Sequence, residues 1–216
     1  MSVNYDVAVI DYGMGNLHSV EKALKKVSPD SSVYVGSEAE VILSAHRVVY
    51  PGVGAIRDCI GEIKRLGLDE IIVESARRVP LLGICVGMQG LMKRSAENDG
   101  IDCLGVFDYG VEFFADHFKG RQDCAQLKVP HMGWNSVKQV PHKLWDGIAD
   151  NSQFYFVHSY FVPEAECGEV LGTVTHGVEA VAAIGRDNIF ATQFHPEKSH
   201  LDGLRLLKNF MRWDGE

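Results

Sequence analysis

Apolar positions in the first hundred residues follow two rhythms. Short β-branched runs, DVAVI (6–10), SVYVG (32–36), HRVVYPG (46–52) and VPLLGI (79–84), have the length and composition of buried strands. Between them, apolar residues recur at helical spacing. Leu17, Val20, Ala23, Leu24 and Val27 line one face of residues 16–27, with Asn16 placed to cap the start. Residues 55–67 and 69–78 supply further helix. Short strands separated by helices imply parallel pairing through right-handed crossovers. The expected fold is therefore α/β, three-layer, around a mostly parallel central sheet.

From about residue 104 the rhythm changes. Segments 104–114, 134–140, 153–162, 169–177, 178–185 and 188–194 read as strands separated by turn residues. They predict antiparallel or mixed additions to the sheet. The chain closes on HLDGLRLLKNFMRW (200–213), where Leu201, Leu204, Leu207, Phe210 and Met211 predict one apolar helical face. No repeat, linker or low-complexity segment interrupts the pattern, so residues 1–216 are expected to form a single domain.

Composition narrows the classes of function. At 46% hydrophobic and 23% charged, 216 residues suffice for one buried core. The formal charge of −8 argues against general binding to nucleic acid or to an anionic membrane. No apolar run approaches the ~18 residues of a membrane span. The first residues carry neither a basic leader nor a long apolar stretch, which sets a cytoplasmic expectation. The five cysteines, at 59, 85, 103, 124 and 167, are odd in number and irregular in spacing. No disulfide framework or zinc ribbon is indicated, and four of them read as small buried hydrophobes.

Cys85 is the exception. Gly83-Ile84-Cys85-Val86-Gly87 joins a strand-like run to a helix-like one and has the spacing of a nucleophile elbow with sulfur in place of oxygen. Such a corner lifts the side chain above the C-terminal sheet edge, and a helix N-terminus behind it favours a thiolate. The same glycines also fit a plain helix-packing turn.

A thiolate needs a base and a group to orient that base. Of nine histidines, His18, His46, His117, His142 and His200 sit in polar contexts and read as surface residues, while His131, His158 and His176 are ambiguous. His195 stands in QFHPEKS, before a proline that biases it to extended geometry. Residues two apart in extended chain point the same way, which puts Glu197 beside the imidazole, as the acid stands in a hydrolase triad. A capping glutamate ahead of the last helix is the alternative. Tyr50-Pro51-Gly52-Val53-Gly54 ends a strand with two glycines, and its backbone N–H groups, joined by that of Val86, could meet an oxyanion. An ordinary strand-ending turn fits equally well. DYGMGNLHS (11–19) has His18 where a dinucleotide fingerprint needs its third glycine, and there is no phosphate-loop lysine.

Taken together, GICVGMQ, PGVGA and QFHPEKS resemble the class I, or triad-type, glutamine amidotransferases. DYGMGNLHSV and PHMGWNSV (130–137) narrow the resemblance to glutaminase subunits that feed ammonia to a (β/α)8-barrel cyclase. It runs from about residue 6 to the last helix, with the motifs in the family's order, and implies a flavodoxin-like core. By this resemblance Cys85 is the nucleophile, His195 the general base and acid, and Glu197 its orienting carboxylate. Gly52, Val53 and Val86 fall where the family builds its oxyanion hole. Gly54, Gln89, His158, Ser159 and Tyr160 match positions that hold glutamine, and Asn16, Trp134 and Asn135 would face the partner. No cofactor and no metal are implied. Val86 and Ile56 depart from the family's usual Leu and aromatic, both apolar changes that leave backbone donors in place. Three alternatives stay open: a glutaminase serving another synthase, such as a surface-sugar amidotransferase; a stand-alone thiol hydrolase; and a catalytically dead binding subunit.

Overall fold

A computed structural model describes residues 4–163 and 168–216; Cys167 lies outside them. The first half runs β1 (Val7–Ile10), α1 (Leu17–Val27), β2 (Val33–Gly36), α2 (Ala39–Ser44), β3 (Val48–Gly52), α3 (Ile56–Arg65), α4 (Leu68–Arg78), β4 (Leu81–Cys85) and α5 (Val86–Gly90). The second half is strand-rich: β5 (Met92–Ser95), β6 (Ile101–Asp102), β7 (Phe107–Phe113), α6 (Phe114–Phe118), β8 (His131–Ser136) and β9 (Lys138–Gln139). It continues through β10 (Gln153–His158), β11 (Tyr160–Phe161), β12 (Val170–His176), β13 (Val178–Arg186), β14 (Ile189–Thr192) and α7 (His200–Phe210).

Eight strands form the central sheet in the order β2-β1-β3-β4-β14-β13-β12-β9. The β2, β1, β3, β4 and β14 neighbours pair parallel, while β13, β12 and β9 extend the sheet antiparallel. Strands β1, β3, β4 and β14 are buried at every position, as continuous apolar runs require when helices cover both faces. The flanking helices form two groups, α1 with α7, and α2 and α3 with α4. This is the expected three-layer α/β architecture.

Not every late strand joins the central sheet. β8 pairs only with β10, and β11-β7-β5-β6 make a separate four-stranded sheet. The expected antiparallel additions are β13, β12 and β9; period-two patterning specifies a strand and its buried face but not its partner, so it does not tell these from the strands that pair elsewhere. The helix after the Cys85 corner is also shorter than its sequence suggests, ending at Gly90 and turning into β5.

One cap and one stripe differ from expectation. Asn16 occupies the N-cap position of α1, but its side chain makes no capping bond; the first turn closes on its carbonyl instead. In α7 the buried stripe is Gly203, Leu206, Leu207 and Phe210, whereas Leu201 is 82% exposed. The helix is rotated because Gly203 presses on the preceding turn, where a Cβ would lie 2.0 Å from the Pro196 carbonyl oxygen. Among the described residues no helix is long and apolar enough to cross a membrane.

Candidate active site

The corner at Cys85 is built by strain and close approach. Cys85 ends β4 with φ 55° and ψ −108°, a conformation that L-residues avoid and that is sustained only where surrounding packing over-determines it. Packing does so here. A Cβ on Gly87 would sit 1.9 Å from the Tyr50 carbonyl oxygen, so only glycine lets α5 rest on β3. Gly52 lies directly across from Cys85 in the β3–β4 register, against Val86 and Gly87. Tyr12 braces this end of β3 by donating its hydroxyl to the Pro51 carbonyl at 2.9 Å, and burial raises the phenol well above its ordinary value, keeping that proton in place.

The base arrives from the turn after β14. His195 is extended, with φ −100° and ψ 97°, and Pro196–Lys198 then form a single 3-10 turn. Glu197 therefore reaches its neighbour through a tight turn rather than along an extended strand. Its Oε1 lies 2.8 Å from His195 Nδ1, with the two side chains 1% and 2% exposed. Ser199 fixes the turn, donating to the His195 carbonyl at 2.6 Å and accepting from the Tyr155 N–H at 3.0 Å. Burial disfavours an imidazolium at His195. The Cys85 sulfur and the Glu197 carboxylate more than reverse this and raise its pKa to about 10. With Nδ1 committed to Glu197, Nε2 is the nitrogen left for sulfur and ligand, and it has no hydrogen-bond partner among the described residues.

A cavity of about 340 Å³ opens over these groups. Val53, Gly54, Cys85, Val86, Gln89, His158, Ser159, Tyr160 and His195, all singled out from the sequence, line it together. Gly52 supports the floor without lining it. Four further lining residues carried no expected site role: Ala55, Glu97, Pro130 and Val157. Glu97 sits in the turn after β5 and accepts the Ile56 N–H at 3.1 Å, which anchors its carboxylate at the start of α3. No local pattern marks it, because only the fold brings it to the cavity.

Two of the three ambiguous histidines, His131 and His158, form a wall at the cavity. His158 Nδ1 donates to the Tyr160 carbonyl at 2.8 Å, so its Nε2 must accept from His131 Nδ1 at 2.9 Å. His131 Nε2 then accepts from Asn135 Nδ2 at 3.2 Å. Burial depresses both rings, His131 to about 4 and His158 to about 3, so both are neutral at pH 7. His176 stacks on His131 with centroids 4.3 Å apart. His142, expected at the surface, is half-buried between Phe190 and Trp213, and burial lowers its pKa.

The three expected partner-facing residues are not alike. Trp134 is 42% exposed and lies parallel to His200, centroids 4.7 Å apart, beside exposed Met132 and Leu201. Asn135 has its amide turned inward, bonded to His131 and to the Thr175 carbonyl. Asn16 is half-buried at the start of α1. A second groove, about 550 Å³, lies beside α4 and carries one thiol, Cys103, which burial raises to about 11. Cys59 is raised to about 11 as well, chiefly by burial, and Cys124 is buried.

A buried imidazole and carboxylate stand beside a thiol on a strained strand-to-helix corner, at the C-terminal edge of a parallel sheet, which is the layout of an α/β fold with a nucleophile elbow. The family model for class-I glutamine amidotransferases matches residues 8–213, and the chain belongs to that family. Among curated relatives, the imidazole glycerol phosphate synthase subunit HisH of Pseudomonas putida is 54% identical over 210 residues, covering 97% of this chain and 98% of that protein. Subunit HisH 1 of Pseudomonas aeruginosa is 56% identical, covering 97% of each chain. Among solved structures, a glutamine amidotransferase covers 96% of this chain and 97% of its own, at TM-score 0.70 and 19% identity. A chain of PurLQS from Thermotoga maritima covers 97% of this chain and 99% of its own, at TM-score 0.68 and 14% identity. These two share the fold.

Proposed function

We propose that the chain is the glutaminase subunit of imidazole glycerol phosphate synthase, one domain across residues 1–216, working in the cytoplasm without cofactor or metal. The observation that carries the reading is the meeting of Cys85 and His195 on one cavity, with Glu197 held against the far nitrogen of the imidazole. The names of relatives aligned over nearly their whole length supply the particular synthase.

In this reading the Cys85 thiolate attacks the side-chain amide carbon of glutamine, forming a C–S bond and a tetrahedral oxyanion. Backbone N–H groups of Val53 and Val86, on the floor that Gly52 supports, stabilise the oxyanion; losing one such donor costs on the order of 10²–10³ in turnover. His195, charged beside the sulfur, donates its Nε2 proton to the departing nitrogen, and the C–N bond breaks to release ammonia. The neutral imidazole then takes a proton from water, which attacks the γ-glutamyl thioester. Glutamate leaves and the thiolate is restored. Glu197 keeps Nε2 aimed by holding Nδ1–H. Gly54, Gln89 and the backbone of His158, Ser159 and Tyr160 hold the amino-acid end, where Glu97 offers the carboxylate that suits an α-ammonium.

Ammonia in neutral water is mostly ammonium and no longer nucleophilic, so a subunit that releases it needs its acceptor at hand. The partner in this reading is a HisF-type (β/α)8-barrel cyclase, forming a heterodimer. Ammonia would enter the barrel, where the products are imidazole glycerol phosphate and the aminoimidazole carboxamide ribotide, within histidine biosynthesis. Trp134, with Asn16 and the segment around Asn135, would form the docking face.

The test uses the assembled complex. Cys85→Ala is expected to abolish glutamine-driven synthesis and to spare synthesis driven by ammonium salt. Loss of both would point to a broken interface, and retained glutamine-driven turnover would contradict the reading.

A further inference from the structure

The residues that follow β14 alternate in direction. Phe194 stacks on Phe154 in the aromatic core, centroids 4.2 Å apart, while Gln193 and His195 on either side of it turn toward the Cys85 sulfur. Gln193 is 0% exposed, and a primary amide buried this deeply is costly unless its donors and acceptor are engaged. Its orientation follows from a neighbour that can only accept. The Tyr160 carbonyl takes a bond from Gln89 Nε2 at 2.9 Å, so the amino end of Gln89 must point there. The same Nε2 lies 2.9 Å from Gln193, which must therefore present Oε1 to it. That choice leaves the amino end of Gln193 on the nucleophile, with Nε2 3.8 Å from Sγ.

We propose that Gln193 is a fixed hydrogen-bond donor to the Cys85 sulfur, a role that rests on Cys85 being the nucleophile. The sulfur's other polar neighbour is the Val157 carbonyl at 4.0 Å, which suits a thiol and repels a thiolate. His195 offsets that repulsion only while it is charged, and it gives up its proton when ammonia departs. Gln193 keeps both hydrogens at every step. The sulfur thus retains one neutral donor whatever the state of the imidazole, both as attacking thiolate and as leaving group from the thioester.

The titratable groups around the sulfur are His195 and Glu197 from the turn after β14, His158, Tyr160 and Glu97 along the cavity, and Tyr12 and Cys59 from beneath. Burial raises Tyr12 and Cys59, so neither changes charge near neutral pH.

Gln193→Met keeps the length of the side chain and removes the donor. The probe is alkylation of Cys85 by iodoacetamide on the whole chain, read peptide by peptide from about pH 5 to pH 10. The profile is expected to move upward by about half to one pH unit. In the complex, kcat for glutamine should fall about three- to tenfold with KM nearly unchanged. A profile superimposed on that of the parent chain overturns the inference. If Gln193→Met lacks the parent's thermal melt, Gln193→Leu, which likewise removes the donor and adds no charge beside the sulfur, is read by the same criterion. Failure of the underlying reading looks different: Cys85→Ala would then retain glutamine turnover whatever the alkylation profile does.

Discussion

The two halves of the molecule hold their chemistry by different means. In the parallel half, β3, β4 and α5 place Cys85 chiefly through backbone, with Gly52 and Gly87 pressed together where α5 meets β3 and a strained φ at Cys85. In the strand-rich half, two pairs are placed by side-chain hydrogen bonds, His195 with Glu197 and His158 with His131, the latter tied to the Tyr160 carbonyl. A backbone corner tolerates almost no added volume. A side-chain network tolerates volume but is sensitive to protonation. In the proposed mechanism the nucleophile thus sits on the tightly packed side, and the groups that exchange protons sit on the side able to respond.

The sharpest way to break this contrast is Gly87→Ala. Its Cβ has no room against the Tyr50 carbonyl, so the expected loss is about 4 kcal/mol or more, read as a fall in denaturation midpoint. Glu197→Gln should leave the corner intact yet lower glutamine turnover by about 10²–10⁴, with little change in the melt, because the imidazole loses its orienting anion. Ammonium-driven synthesis by the complex would be unaffected.

Protonation tests the histidine wall directly. His131 is depressed in the folded chain to about 4, so between there and its ordinary value of about 6.5 the unfolded chain binds the extra proton. Stability should therefore fall as pH drops through this window, by roughly 2 kcal/mol for this residue. His131→Asn, which keeps a donor for His158, should remove that share of the acid limb in denaturant titrations and leave the share due to His158. Trp134→Ala is expected to weaken the complex about 10- to 100-fold in Kd without moving the melt of the isolated chain. At the small end, Gly61→Ala in α3 meets nothing within 4 Å and should stabilise by about 0.5–1 kcal/mol.

The same division governs how much could be read from the sequence. β1, β3 and β4 were legible because strands covered on both faces are unbroken apolar runs, and Gly83 and Gly87 marked the corner around Cys85. α2, a helix of only six residues with a single buried position, left no periodic trace. The pairing of β8 with β10 was illegible, since alternation does not name a partner. Leu201 matched a helical stripe that tertiary contact at Gly203 rotates away from the core. At the site, residues set close together in sequence, such as His195 and Glu197, could be paired in advance. Glu97 and Gln193 could not, since they meet the cavity and the sulfur only through contacts across the fold.

The central claim is that one thiol of this chain carries the glutamyl group. Acid quenching of the complex during turnover of glutamine, followed by peptide mass analysis, tests it directly. The account predicts a glutamyl adduct on the peptide holding Cys85, absent from those holding Cys59, Cys103 and Cys124 and lost in Cys85→Ser. An adduct on another cysteine, or steady glutamine hydrolysis by Cys85→Ala, would contradict it.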